Sequence, residues 1–173
     1  MEVRIELRRP AGLPPAYAVV DAEDVAFLSA WPWRLDSNGY AALTVRRGSS
    51  LTKLFLARML MGCVPGDGLF VDHINRDRLD NRRANLRIVT PAESCQNKSS
   101  HAHSSRFRGV SLIRRSSRWR AEAQVDGRRY GIGVFATELE AAEAARAWRI
   151  SHMPFSAEDI GRLSLDGDHL RGV

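Results

Sequence analysis

Residues 71–97 read VDHINRDRLDNRRANLRIVTPAESCQN, and this stretch changes character several times within a short distance. Short apolar runs typical of strands flank the polar residues 75–85, which are typical of a loop. Thr90, Pro91 and Glu93 then mark a helix start, because Thr caps the first turn, Pro fits the first helical position and Glu completes a capping box. The stretch therefore predicts a strand, a polar loop, a second strand and a helix.

Chemically useful side chains lie at the strand ends of this stretch. Asp72 and His73 end the first strand, Asn81 and Asn85 follow in the polar loop, and Asn85 directly precedes the second strand. A carboxylate is a hard oxygen ligand suited to Mg²⁺ or Mn²⁺, and a neutral imidazole accepts a proton near pH 7. An asparagine carbonyl can accept the other ring N–H and set the tautomer. Polar loops also collect Asn for turn geometry alone, so these residues leave a catalytic and a purely structural interpretation open.

The same stretch resembles the motif of HNH endonucleases of the phage and intron-homing type, which have a ββα-metal fold. The preceding segments VDAEDVAFLSAWPWRLDSNGYAAL and LFLARMLMG also fit relatives of that type, so the resemblance covers about residues 17–97. It implies a DNA endonuclease, encoded by a phage or mobile element, that hydrolyses a phosphodiester. It further implies His73 as general base, Asp72 as ligand of one Mg²⁺ or Mn²⁺ ion, and Asn85 as the residue that orients the base.

Two positions depart from the HNH pattern. Ser94 stands where the family usually has its last metal ligand, an Asn, and Asn97 is the candidate substitute because it follows three residues later on the same helix face. Ala57 stands where relatives often carry His. These departures favour an alternative, in which the chain is a catalytically weak or inactive HNH-fold regulator that binds DNA, or an anti-defence protein that acts on a defence-system protein.

The positive charge of the chain is concentrated in one segment. The 173 residues carry 26 basic and 20 acidic side chains, a net charge of +6. Residues 98–150 alone carry 11 basic and 5 acidic side chains, which equals that net charge. Eight arginines interleaved with aromatic residues lie between positions 106 and 129, and this composition favours a nucleic-acid partner over a membrane surface or a merely solvated face. An RNA partner is the weaker alternative to DNA.

Residues 106–155 predict a small module of three strands and one helix. Asp126 and Gly127 lie between two alternating runs, which is a strong hairpin signal. Alternation along the middle strand predicts Trp119 in the core and places Arg118 and Arg120 on the open face. An alanine-rich helix is expected to follow a second capping box that begins at residue 137.

This module resembles the Apetala-two/ethylene-response-factor DNA-binding domain. The resemblance rests on FRGV at 107–110, RWRAE at 118–122, and IGVF at 132–135 with TELEAAEAARAW after it. It implies a sheet that lies in the major groove of double-stranded DNA, with Arg108, Arg118 and Arg129 at family contact positions. Charge and expected strand exposure add four candidates, Arg114, Arg115, Arg120 and Arg128.

These segments predict an α+β protein with two folded parts. The expected organisation is an HNH domain at 1–97, a linker at 98–105, the DNA-binding domain at 106–155 and a tail at 156–173. We also expect a helix at 21–30 that is capped by Asp21, a second helix at 53–61, and both Trp31 and Trp33 in the core. Because the chain has only two cysteines, no signal-like N-terminus and no apolar run of about 18 residues, we expect a soluble cytoplasmic protein without a disulfide scaffold. Zinc binding by Cys63, Cys95, His101 and His103 is a remote alternative, because their spacing matches no zinc pattern.

Overall fold

The computed structural model describes residues 1–97 and 104–156. The chain divides into two compact units, Met1–Lys98 and Ser99–Val173. The described parts mix short helices with small antiparallel sheets, which confirms the predicted mixture of helix and strand. In these two ranges no helix combines the length and the apolar character that crossing a bilayer requires.

The first unit contains seven strands, three α-helices and two short 3-10 helices, Ala22–Asp24 and Arg83–Asn85, within its described residues. Strands β1 and β2 form an antiparallel pair, β3, β4 and β5 form a three-stranded sheet in that order, and β6 and β7 form a second pair. The bounds are β1 Glu2–Leu7, β2 Ala16–Asp21, α1 Val25–Leu28, β3 Arg34–Leu35, β4 Ala41–Arg47, β5 Ser50–Phe55, α2 Leu56–Leu60, β6 Phe70–His73, β7 Leu86–Val89 and α3 Pro91–Gln96.

The core of the first unit collects apolar residues from most of these elements. Leu7, Leu28, Leu56 and Leu86 are all buried in one cluster with Trp33. The Trp33 indole donates a hydrogen bond of 3.0 Å to the Leu28 carbonyl, which satisfies its buried N–H. Leu86 belongs to β7, so its burial in this cluster joins the β6–β7 pair to the rest of the unit.

Three local expectations for this unit are wrong. Residues 53–61 are not one helix, because residues up to Phe55 pair with β4 and only the remainder is helical. Hairpin pairing with the preceding strand overrides helix propensity here. Asp21 makes no side-chain cap for the short helix that follows, since its carboxylate accepts instead from the Arg83 amide at 2.8 Å. Trp31 is 42% exposed, because Trp33 occupies the core position.

The second unit is a three-stranded antiparallel sheet with one helix packed against it. The bounds are β8 Val110–Ile113, β9 Arg118–Val125, β10 Arg128–Phe135 and α4 Glu138–His152, and β9 is the central strand. Its core consists of Val110 and Ala121 from the sheet with alanines of α4, such as Ala141 and Ala145. The small alanine side chains let the helix lie close to the sheet. Trp119 packs against this cluster, as alternation predicts.

Candidate active site

The candidate active site lies at the end of the β6–β7 pair. In this pair Asp72 is opposite Arg87, and His73 is opposite Leu86. Successive residues of a strand point to opposite faces, and directly opposed residues share a face. The His73 side chain therefore lies on the face that packs onto the core, and the Asp72 carboxylate lies on the other face.

The His73 imidazole is buried and held in one orientation. It is 5% exposed, its Nε2 lies 3.2 Å from Asn81 Oδ1, and its ring centroid lies 5.9 Å from that of Tyr40. Because an amide oxygen can only accept, Nε2 carries the proton and Nδ1 carries the lone pair. Burial lowers the pKa of His73, and the opposing effects of Asn81 and of the Asp72 charge do not cancel it. The ring is therefore neutral near pH 7 and is able to accept a proton.

The residue that contacts the imidazole is Asn81 rather than Asn85. Both side-chain groups of Asn85 are used within the loop, where Oδ1 accepts from the Asn75 amide at 3.0 Å and Nδ2 donates to the Asp80 carbonyl at 2.7 Å. Asn85 thus stabilises the loop that carries Asn81. The loop contains several asparagines, and no spacing rule says which of them contacts the imidazole. Only the folded arrangement distinguishes Asn81 from Asn85 in this role.

Further contacts hold this loop in place. The Asn81 amide donates to the Val19 carbonyl at 2.7 Å, which joins the loop to β2. Arg82 forms a two-pronged ion pair with the buried Asp80, with contacts of 2.6 and 2.7 Å. This guanidinium lowers the pKa of the Asp80 carboxyl, although burial opposes the effect. The position of Asn81 against His73 is therefore set by the backbone hydrogen bond to Val19 on one side and by the Arg82–Asp80 ion pair on the other.

The Asp72 carboxylate is surrounded by hydrogen-bond donors. Arg87 reaches its Oδ2 from Nη2 at 2.6 Å and from Nε at 3.0 Å. The buried Asn97 donates from Nδ2 to the same oxygen at 3.0 Å and to the His73 carbonyl at 2.8 Å, while its Oδ1 accepts from Arg76. Asn97 thus turns its NH₂ group toward Asp72. The Asn97 oxygen, which is the atom that would bind a cation, is turned to Arg76 instead.

Asp72 and Ser94 remain as candidate metal ligands, and their oxygen atoms suit a hydrated divalent cation. Asp72 supplies a carboxylate, and the Arg87 guanidinium already at that carboxylate shows that the position attracts positive charge. Ser94 supplies a hydroxyl on α3, which packs against β6. Within residues 1–97 and 104–156, no group of three or more His, Cys, Asp or Glu side chains forms a metal cluster. Mg²⁺ commonly uses one or two carboxylates and keeps several waters, so this sparse donor set suits Mg²⁺ or Mn²⁺ better than zinc.

The cysteine and histidine candidates for zinc do not form a site in the described residues. Cys63 is a partly buried free thiol and Cys95 is an exposed one. His101 and His103 lie outside the residues that the structure describes.

The predicted DNA-binding arginines of the second unit occupy three different surroundings. Arg118, Arg120 and Gln124 occupy alternate positions of β9, so their side chains lie on the same, open face of the sheet. Arg129 is directly opposite Gln124 and therefore shares this face. Arg114 and Arg115 are exposed in the turn between β8 and β9.

The two remaining arginines do not lie on this open face. Arg128 is opposite Val125, which places it on the helix side of the sheet. Arg108 precedes β8, and its Nη1 donates to Ser156 Oγ at 2.8 Å, while its carbonyl accepts from Arg149. The open face therefore presents a smaller cationic set than the sequence predicts, because strand register and local contacts direct two side chains elsewhere.

Comparison with known proteins identifies one segment of the chain. Residues 55–95 match a family model described as HNH endonuclease. A protein of Acanthamoeba polyphaga mimivirus, named as an uncharacterized HNH endonuclease, is 29% identical over 127 residues, which cover 73% of this chain and 65% of that protein. No solved structure matches the chain significantly. Residues 55–95, which include Asp72, His73 and Asn85, are thus similar to the HNH endonuclease family domain.

Proposed function

We propose that the chain is a metal-dependent DNA endonuclease in which His73 is the general base. The observation that carries this proposal is the buried, neutral imidazole inside the matched HNH segment, with Nε2 held by Asn81. An imidazole fixed in this tautomer presents Nδ1 as a proton acceptor. The family match and the name of the mimivirus relative support a nuclease as the class of enzyme.

The chain's own residues divide the chemistry between two faces of β6. His73 Nδ1 would take the proton of the attacking water, while Asn81 Oδ1 keeps Nε2–H in place and stabilises the imidazolium that forms. Asp72, together with Ser94 directly or through water, would hold the cation on the other face. When bound, Mg²⁺ or Mn²⁺ stabilises the charge that develops on the phosphate and on the leaving 3′ oxygen. The scissile phosphate would lie across the end of β6, within reach of both side chains.

The second unit would supply affinity for double-stranded DNA. Arg118, Arg120 and Arg129 lie together on an open sheet face, and Arg114 and Arg115 extend the positive surface at one end of it. Arginine neutralises phosphates and makes planar contacts with guanine edges. Because phosphate neutralisation releases counterions, we expect binding that weakens steeply as salt is added.

A nicking assay tests the proposed function. Supercoiled plasmid incubated with the chain and Mg²⁺ or Mn²⁺ is expected to convert to the open-circular or linear form, and no conversion is expected when EDTA replaces the metal. The metal series identifies the preferred ion. Absence of metal-dependent cutting on plasmid, linear and phage DNA alike would contradict the nuclease proposal and leave DNA binding as the function.

One observation favours a second candidate, a DNA-binding regulator that is inactive or weak as a nuclease. Arg87 occupies the Asp72 carboxylate with two short contacts, and Asn97 adds a third donor. A cation that used Oδ2 of this carboxylate would have to displace the guanidinium, and a cation that used Oδ1 would lie beside its positive charge. The same contact would weaken metal binding in either candidate, so removing the arginine is expected to have a measurable effect.

Replacing Arg87 by glutamine is expected to raise the affinity of the chain for Mn²⁺ by about tenfold, which corresponds to ~1.4 kcal/mol. The substitution removes both a competing hydrogen-bond donor and a positive charge beside the cation. Isothermal titration calorimetry with Mn²⁺ measures the affinity without reference to activity. Arg82→Gln is the matched control, since Arg82 pairs with Asp80 instead of Asp72. Unchanged or weaker Mn²⁺ binding in Arg87→Gln would contradict competition between the arginine and the ion.

A further inference from the structure

One charged surface of the first unit has no role in the mechanism above and begins beside His73. We call it the outer hairpin face, and it consists of Thr44, Arg46, Leu51, Lys53 and Phe55 on β4 and β5. Thr44 is directly opposite Lys53, and Phe55 alternates with Lys53 along β5, so these residues share one side of the sheet. The intervening Leu43 points into the core of the unit, which leaves the outer side to the others.

Aromatic contacts connect this face to the candidate active site. The Tyr40 ring centroid lies 5.9 Å from that of His73 and 5.8 Å from that of Phe55, so Tyr40 lies between the two. The Arg78 guanidinium lies 4.9 Å above the Tyr40 ring and adds a positive charge at this point. A continuous row of side chains therefore leads from the imidazole to the hairpin.

The outer hairpin face carries positive charge that is accessible. The Arg46 side chain is exposed, and Lys53 is 46% exposed with its Nζ 5.9 Å from the Phe55 ring centroid. Lys53 also contacts Asp36 at 3.4 Å. The Asp36 side chain is only 6% exposed, but its carboxylate also accepts from the Asn38 and Tyr40 amides at 2.9 and 2.8 Å. The carboxylate therefore keeps these hydrogen bonds when the exposed Lys53 ammonium turns toward another anion.

We propose that the outer hairpin face binds the DNA backbone next to the bond that is cut, in addition to the sheet of the second unit. This inference rests on the proposed nuclease function for the position of the scissile phosphate. The steps of 5.9 Å from His73 to Tyr40 and 5.8 Å from Tyr40 to Phe55 place Phe55 within about 12 Å of His73, which is about three nucleotides of rise along a duplex at ~3.4 Å each. A polyanion that enters at His73 would therefore meet the cations of the hairpin within a few phosphates.

Charge removal on this face tests the proposal. The full chain is titrated into a labelled DNA duplex at a series of KCl concentrations in EDTA, so that binding is measured without cleavage. The double variant Arg46→Gln/Lys53→Gln is compared with Arg4→Gln/Arg8→Gln, which removes two exposed charges, one in β1 and one directly after it. The association constant K falls as KCl is added, and each phosphate contact adds about 0.9 to the steepness of the slope of log K against log[KCl]. This slope is expected to be shallower by about 1.8 in the hairpin variant and unchanged in the control. Thr44→Glu, which places a negative charge opposite Lys53, is expected to weaken binding as well.

The outcomes separate this contact from the nuclease proposal. Plasmid nicking by the wild-type chain together with equal slopes for the two double variants would remove the hairpin contact and keep the nuclease. A reduced slope in the hairpin variant without any nicking would keep the contact and remove the nuclease. Binding of an acidic peptide that is tighter than binding of the duplex at equal salt would overturn DNA as the occupant of this face.

Discussion

Replacing His73 by alanine is expected to lower the rate constant of plasmid nicking by about a hundredfold or more, the range that general base catalysis contributes. The substitution removes the only proton acceptor that the proposal assigns to the reaction, while Asp72 and the loop around Asn81 keep their own contacts. The measurement is the single-turnover nicking rate at saturating protein, which separates the chemical step from binding.

Two controls make this result interpretable. DNA affinity in EDTA is expected to stay the same, because the arginines of the open face lie in the second unit. His152→Ala, at an exposed histidine stacked on Trp148, is expected to nick at the wild-type rate. A His73→Ala chain that folds, binds DNA and nicks within threefold of wild type would contradict the assignment of the base.

Replacing Gly109 by alanine is expected to destabilise the second unit by about 3 kcal/mol or more, in the upper part of the range for single substitutions. Gly109 has φ of +77°, and a Cβ at this position would lie 2.2 Å from the Glu122 carbonyl oxygen. The same two residues are joined by a hydrogen bond of 2.8 Å from the Glu122 amide to the Gly109 carbonyl, so the backbones cannot separate without losing it. Amide hydrogen exchange in β9 and β10 measures the effect locally.

Gly127→Ala provides the matched control for this substitution. Gly127 also has φ of +77°, but nothing lies within 4 Å of a Cβ built there. The control therefore carries only the cost of a left-handed backbone, about 1 kcal/mol. Equal acceleration of exchange in the two variants would show that the backbone angle, and not the close approach to Glu122, accounts for the requirement for glycine.

Local signals in the sequence account for several elements of the fold. The Thr90 cap is present as predicted, with its hydroxyl accepting from the Glu93 amide and the Glu93 carboxylate accepting from the Thr90 amide. The alternation along β9 is also confirmed, since Ala121 is buried while Arg120 is exposed. These features could be predicted because each depends on residues within a few positions of one another.

The errors share a different cause. Residues 53–61 have good helix formers, yet the first part becomes a strand because residues 41–47 offer it an edge to pair with. Trp31 and Trp33 are equivalent by composition, and only the packing against Leu28 distinguishes the buried indole from the exposed one. Propensity describes single residues, whereas pairing and packing depend on segments that meet only in the folded chain.

By itself, the sequence determined the strand that ends in Asp72 and His73, the polar loop after it and the basic strands of the second unit, because periodicity, turn residues and helix caps act locally. The tertiary structure alone decided that Asn81 holds the imidazole and that Arg87 occupies the Asp72 carboxylate. Both contacts depend on how a loop packs onto β2 and on the register of β6 with β7. No spacing along the chain encodes these two distances, since they arise only when strands far apart in sequence are aligned.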